Sequence, residues 1–508
     1  MNKSRFLMIL MLLGLGAWFA ATRGEQAARA SAALETQETA AADEFLTLEP
    51  TWISDGTDKG AEYGKVVIAA GDVNCDSIPD AAIGTPKFLV ELENSGAVFV
   101  YAGVDGYGLG NDVYRFLTTQ DKGSLFGEAV ASAGDVDGNG CDDLIVGAPN
   151  HFEDGMFGQP GAAYLYYSYP SPTGLLDTPG WSKAGPEKDS HLGAAVAAAG
   201  DVNGDGYADV LVSAPAYCST LILSEGLVWL FHGSAAGLES EPAWTFTGEQ
   251  YAAKAGTALA GLGDVNGDGL DDFAVSAPYF NTSVGLDAGK VWVFFGSRTN
   301  DTGVEAASWS VLGTQVNEYL GSALAGAGDV NGDGFADLVI GAVGFNEYMM
   351  PGSGAAFLYL GSSSGMRSAS PWRVTGRQAY SGFGYAVGAL GDVNGDQLND
   401  IVVGAYLYDE GGSPNDKGMV SVYAGTKSGL TLSPVWTMLG DKADSTFGKA
   451  TAGVGDVDQD GYADLIVGAP EYKLDDKTPL GRVFVYHGEY AEVSFPNVFL
   501  PFILKSSE

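Results

Sequence analysis

The chain has 508 residues, with 64 Asp and Glu against 25 Lys and Arg, a formal net charge of −39. Such a surface repels nucleic acid and anionic membranes and favours cations. Hydrophobic residues at 46% and charged residues at only 18% exclude a disordered polyanion, and 74 glycines without a collagen period point to many turns, as in an all-β protein.

In chain order, Lys3 and Arg5 precede the apolar run Phe6 to Ala21. This reads as a signal peptide over residues 1–21, cleaved after Ala21 or near Ala30-Ser31-Ala32. A retained anchor is the alternative, because the run is near the lower length limit for spanning a bilayer. Residues 22–45 read as a disordered linker or pro-segment, residues 46–490 as one repeat array, and residues 491–508 as an apolar C-terminal tail. Cys75, Cys141 and Cys218 are an odd count at wide spacing, which is no disulfide framework. All three are expected to act as small residues, with a disulfide possible but unsupported.

The array declares itself through an acidic turn. GDVNGDGYADVLVSAP, Gly200 to Pro215, occurs with small changes seven times. The turns begin at Asp72, Asp135, Asp201, Asp264, Asp329, Asp392 and Asp456, with gaps of 63, 66, 63, 65, 63 and 64 residues. Regular spacing of this kind is the mark of a repeat architecture. Ahead of each turn stands aromatic-Gly or a variant, such as Phe126-Gly127 or Phe447-Gly448. Behind it stands VGAP or a relative, then an alternating strand such as AVFVYAG or RVFVYHG. An aromatic segment follows, carrying Tyr114, Trp181, Trp244, Trp309, Trp372 and Trp436, while Trp52 supplies the seventh copy ahead of the first turn.

Each unit thus offers four short strands, and no amphipathic helix of useful length follows residue 45. Seven four-stranded units suit radial repetition, an all-β seven-bladed propeller. The first strands (AVAAAG, ALAGLG, ATAGVG) are small-residue runs, as expected where seven strands converge on an axis. Because the last unit lacks an aromatic fourth strand, residues 50–54 are expected to complete its sheet and close the ring.

Counting from its first Asp, each turn carries Asp or Asn at positions 1, 3, 5 and 9. These are Asp72, Asn74, Asp76, Asp80; Asp135, Asp137, Asn139, Asp143; Asp201, Asn203, Asp205, Asp209; and Asp264, Asn266, Asp268, Asp272. The remaining three sets are Asp329, Asn331, Asp333, Asp337; Asp392, Asn394, Asp396, Asp400; and Asp456, Asp458, Asp460, Asp464. Hard oxygen ligands on a tight loop suit Ca²⁺, up to seven ions in all. Position 7 is expected to add its backbone carbonyl: Ile78, Cys141, Tyr207, Leu270, Phe335, Leu398 and Tyr462. Mg²⁺, which keeps more of its water, fits less well, and zinc is disfavoured by the lack of His and Cys ligand sets. The first turn, with Ser77 and Pro79, and the sixth, with Gln397, depart furthest from the pattern.

The pattern FG…GDVNGDGYADLLVGAP…GxVYVF resembles the FG-GAP repeat of integrin α-chain N-terminal domains. The resemblance implies a seven-bladed β-propeller whose acidic loops hold calcium on one face and whose partners dock on the other. It implies a stand-alone secreted relative of bacterial type, acting as an extracellular binding or adhesion module and not as an enzyme. The expected partner is an extracellular protein or glycan, with no nucleic acid, no stable membrane span after signal cleavage, and a monomeric state. Phe152, Phe157, Phe345, Tyr348, Met349 and Met350, in loops on the partner face, are candidates for an exposed apolar patch. The alternatives are a polysaccharide-active or phospholipase-type enzyme using the propeller face, or a structural envelope protein.

Overall fold

The computed structural model describes residues 46–489, apart from 90–93, 120, 153–157, 220–222, 299–301, 305, 369–371, 411–414 and 475–477. The expected signal peptide, linker and C-terminal tail lie outside the described residues, as does Phe157. Seven antiparallel four-stranded sheets follow one another around an axis. Blade 3 is representative: Ala195–Gly200, Asp209–Ala214, Leu227–Phe231 and Trp244–Thr247, from inner to outer strand. Blade 7 is completed by Trp52–Asp55, which pairs antiparallel with Arg482–Tyr486 and sets Trp52 opposite Val485. The ring is therefore closed by the N-terminal strand, which removes the free edge.

Two glycine positions make the repeat work. Each inner strand ends in a glycine at φ +68° to +83°, where the register shifts and a bulge forms. A Cβ at Gly200 would lie 2.2 Å from Asp271 of the next blade, so only glycine fits on both counts. The glycine of each aromatic-Gly pair has φ between +80° and +87°. It packs on the preceding blade, where a Cβ at Gly147 would lie 1.9 Å from the Gly193 carbonyl oxygen. The FG and GAP glycines are thus two sides of one backbone-to-backbone contact.

The core is divided among the joints between blades. Seven buried clusters each join two neighbouring blades, as where Ile145, Leu165 and Trp181 meet Val210, Val212 and Phe231. At six joints the outer-strand Trp meets the third-strand aromatic of the next blade edge to face: Trp52–Tyr101, Trp181–Phe231, Trp244–Phe294, Trp309–Tyr359, Trp372–Tyr423 and Trp436–Tyr486. Their ring centroids are 4.8–5.4 Å apart. The joint between blades 1 and 2 has Tyr114 in place of Trp.

That same joint overturns the expectation for the cysteines, because Cys75 and Cys141 form a disulfide across a sequence separation of 66 residues. Cys75 is position 4 of the first turn and Cys141 is position 7 of the second. At equivalent joints these two positions touch as glycine and a large side chain: a Cβ at Gly138 would lie 2.7 Å from the Tyr207 ring, and one at Gly267 2.6 Å from Phe335. The pair replaces that contact with a covalent one. Cys218 is free.

Trp52→Ala should lower the unfolding free energy by about 3–5 kcal/mol, read from the denaturant midpoint. A loss below about 1 kcal/mol would argue against closure by the N-terminal strand. In unreduced, denatured protein a thiol reagent should label one of three cysteines, and Cys75→Ser with Cys141→Ser should cost about 2–4 kcal/mol.

Candidate metal centres in the blade turns

Each acidic turn is organised by its first and last carboxylates. The position 1 Asp accepts hydrogen bonds from the backbone N–H of position 5 at 2.9–3.2 Å and of position 6 at 2.7–2.9 Å in all seven turns. Positions 4 and 6 take left-handed backbone, φ +59° to +79° and +69° to +98° respectively. Ser77 and Gln397 adopt this conformation as their glycine counterparts do, so the first and sixth turns keep the common shape. In every turn but the fifth the side-chain oxygen at position 3 accepts from the N–H of position 5, as Asn203 does from Asp205 at 2.8 Å. Position 5 accepts in turn from position 7, as Asp205 does from Tyr207 at 3.1 Å.

Position 9 is the buried anchor. Asp80, Asp143, Asp209, Asp272, Asp337, Asp400 and Asp464 each open the second strand and are fully buried. One oxygen accepts from the N–H of position 2 at 2.9–3.2 Å. The other accepts from the N–H just after the third strand (Gly103, Ser168, Gly233, Gly296, Gly361, Gly425 and Gly488) at 2.8–3.0 Å. One carboxylate therefore ties the turn to two strands of its blade. Burial pushes these groups up to about 7 for Asp80, Asp272, Asp337 and Asp400, and to about 8 for Asp143, Asp209 and Asp464. The backbone N–H donors oppose the rise, and the neighbouring turn carboxylates add to it.

The turns also bond to one another. The N–H of position 8 donates to the position 1 carbonyl of the preceding turn at 2.9–3.2 Å, from Asp142, Ala208, Asp271, Ala336, Asn399 and Ala463. The seventh such residue is Pro79, which has no N–H, so this ring of hydrogen bonds is open between blades 7 and 1.

In two turns three carboxylates converge closely. Side-chain oxygens of Asp135, Asp137 and Asp143 lie within 4.8 Å of one another, and so do those of Asp456, Asp458 and Asp460. The position 7 residues stand at the ends of their turns, and Cys141, being in the disulfide, has no thiolate to give. The seventh turn differs from expectation, since His487 Nδ1 lies 2.9 Å from Asp458 and groups with Asp458 and Asp464. The missed contributors are the N–H donors after the third strand and the left-handed position 4. Their sequence signals were the recurrent glycine closing YAG, FHG and YLG, and Gly at position 4 in five turns.

On the opposite face the expected apolar patch is split. Tyr348 is 86% and Met349 84% exposed, and Phe152 is also exposed. Phe345 is buried, edge-on to Phe357 with Arg373 over its ring, because its loop folds back on blade 5. Met350 is half-buried.

Comparison with known proteins agrees with this geometry. The FG-GAP repeat family matches residues 126–166, 192–220, 255–294, 320–359, 383–423 and 447–486. Integrin alpha-V of Gallus gallus is 32% identical over 216 residues, 41% of this chain and 19% of that protein. Integrin alpha-5 of Xenopus laevis is 30% identical over 249 residues, 47% of this chain and 22% of that protein. Phosphatidylinositol-glycan-specific phospholipase D of Homo sapiens is 32% identical over 246 residues, 44% and 28% of the two chains. The matched stretch is thus under a third of each relative's length. The chain belongs to the FG-GAP repeat proteins and is a seven-bladed, integrin-α-like propeller. Blade 1, outside the six matched repeats, is supplied by the structure.

A raised folded pKa on a carboxylate means that stability is full below the unfolded value and is lost as pH climbs through the folded one. In EDTA, the melting temperature should therefore fall as pH rises from about 5 to 8, across the range set by these seven groups. A melting temperature that stays level or rises over that range contradicts the assignment.

Proposed function

We propose that the chain is a secreted, calcium-stabilised propeller that binds an extracellular protein or glycan through the face opposite its acidic turns. The observation that carries this reading is the sevenfold oxygen-rich turn. Its position 1, 3, 5 and 9 side chains are hard donors gathered on one tight loop, the chemistry that suits Ca²⁺. The cation supplies charge neutralisation, which lets the buried position 9 carboxylates ionise without repelling their neighbours. The turn residues named above would hold it, with the position 7 carbonyls as further oxygen donors. Extracellular modules bind calcium with Kd of about 10⁻⁴ to 10⁻³ M. At about ten times Kd each site adds roughly 1.4 kcal/mol, so seven sites contribute on the order of 10 kcal/mol.

The Cys75–Cys141 disulfide supports an oxidising compartment, in agreement with the export signal read at residues 1–21. Among the described residues no helix is long and apolar enough to cross a membrane. Exposed Tyr348 and Met349 on the loop face supply side chains of the kind that anchor partners. The phospholipase D relative favours one second reading, a propeller that accompanies lipid- or glycan-directed chemistry, and its matched share leaves that activity a proposal only.

Calorimetric titration of EDTA-stripped protein should show several calcium ions bound, and millimolar calcium should raise the melting temperature well above its value in EDTA. Asp209→Ala should remove one ion and lower stability further, because two buried N–H groups lose their acceptor, at about 1–3 kcal/mol each. Equal melting temperatures with and without calcium, and no bound ion, would overturn the calcium reading.

A further inference from the structure

The loop face departs from the repeat in one sector. Five blades close their GAP segment with proline, Pro86, Pro149, Pro215, Pro278 and Pro470, but blades 5 and 6 place Val343 and Tyr406 there. A cavity of about 430 Å³ opens at that point, lined by Asn317, Tyr319, Val343, Tyr380, Tyr406 and Leu407 among others. The volume lies within the range of ligand sites, about 300–1,000 Å³.

The cavity is built around three tyrosines, each seated on a glycine. A Cβ at Gly344 would lie 2.7 Å from the Tyr319 ring, one at Gly352 2.8 Å from Tyr380, and one at Gly382 2.8 Å from Tyr406. Any other residue beneath these rings would push them out of place. Asn317, Tyr319 and Tyr380 hold left-handed backbone at φ +55°, +53° and +58°, which is costly for a bulky side chain. Two further rings outside the lining pack against these, with Tyr279 at 5.6 Å from Tyr319 and Tyr385 at 4.5 Å from Tyr406. No lining residue is charged, on a chain of net charge −39. The hydroxyls of Tyr319, Tyr380 and Tyr406 and the Asn317 amide make no hydrogen bond among the described residues.

We infer that this cavity, between blades 5 and 6, binds a neutral glycan. A pyranose ring has an apolar C–H face, which matches fixed aromatic faces, and a rim of hydroxyls, which matches uncommitted phenol and amide groups. A lipid chain would leave those polar groups unused. Two cations stand near the wall, Lys254 over the Tyr279 ring at 4.9 Å and Lys449 over the Tyr406 ring at 5.7 Å, but neither belongs to the lining, and an anionic sugar would meet an acidic protein around it. The inference rests on the binding-module reading and gives it a location and a ligand class.

The test is an array of neutral hexose and N-acetylhexosamine oligosaccharides probed with the whole chain in calcium, followed by calorimetry on the best binder. Tyr380 is 68% exposed, so Tyr380→Ala should keep the melting temperature while weakening binding at least about tenfold. Tyr406→Pro, which restores the residue found at this position in five blades, should do likewise. Tyr107→Ala, 83% exposed on the ribbon Gly103–Val104 and Gly108–Leu109 of blade 1, should bind as the parent does. Capture of no neutral glycan, capture of anionic glycans or peptides alone, or full affinity in Tyr380→Ala would overturn the inference. If the chain then still bound a protein partner, the module reading would stand without this site. If it bound no glycan and no protein, both would fall.

Discussion

Everything in this structure hangs on a carboxylate placed where carboxylates are costly. The position 9 Asp is the first residue of the most deeply buried strand of every blade, and both of its oxygens accept from backbone N–H groups, one in the turn and one just beyond the third strand. An amide at this position would offer one acceptor oxygen, not two. This explains why positions 3 and 5 accept Asn or Asp while position 9 is Asp in all seven copies. The expense is the burial of charge beside further carboxylates, and two agents can relieve it: a proton or a cation. The oxygen-rich loop above is a means of choosing the cation at neutral pH.

The seven joints between blades are equivalent in outline but not in chemistry. Six carry an aromatic edge-to-face pair and one, between blades 1 and 2, carries the disulfide. Six have a hydrogen bond from one turn to the next, and the one without it, at Pro79, is the joint where the N-terminal strand closes the ring. Both exceptions involve the first turn, and the first repeat is the one outside the six family matches. The closing blade is assembled from distant ends of the array. It relies on strand pairing and the Arg482–Asp55 ion pair within the blade, and across the joint on Trp52 against Tyr101 and on the Val104 and Gly106 N–H groups, which donate to the Val457 and Asp458 carbonyls.

Blade number, strand order, ring closure and the acidic turns were legible in the sequence because each rests on local patterning repeated at constant spacing. Repetition turned a weak signal, such as Ala-rich strands of poor propensity, into a geometric one. The disulfide was not legible in that way. Pairing Cys75 with Cys141 requires knowing that position 4 of one turn lies against position 7 of the next, a relation set by blade packing and not by spacing. His487 is similar: it follows a third strand, yet its ring reaches the turn because that strand ends where the position 9 carboxylate is anchored. The apolar patch was legible only in part, since loops carry no period. Exposure of Tyr348 and burial of Phe345, three residues apart, depend on how one loop folds onto its own blade.

Proton counting addresses the balance between proton and cation at the position 9 carboxylates most directly. Calcium added to weakly buffered, cation-free protein at pH 7 should release several protons per chain, as buried carboxylates held up to about 7 or 8 give way to the metal. Calcium bound with no proton released would contradict it.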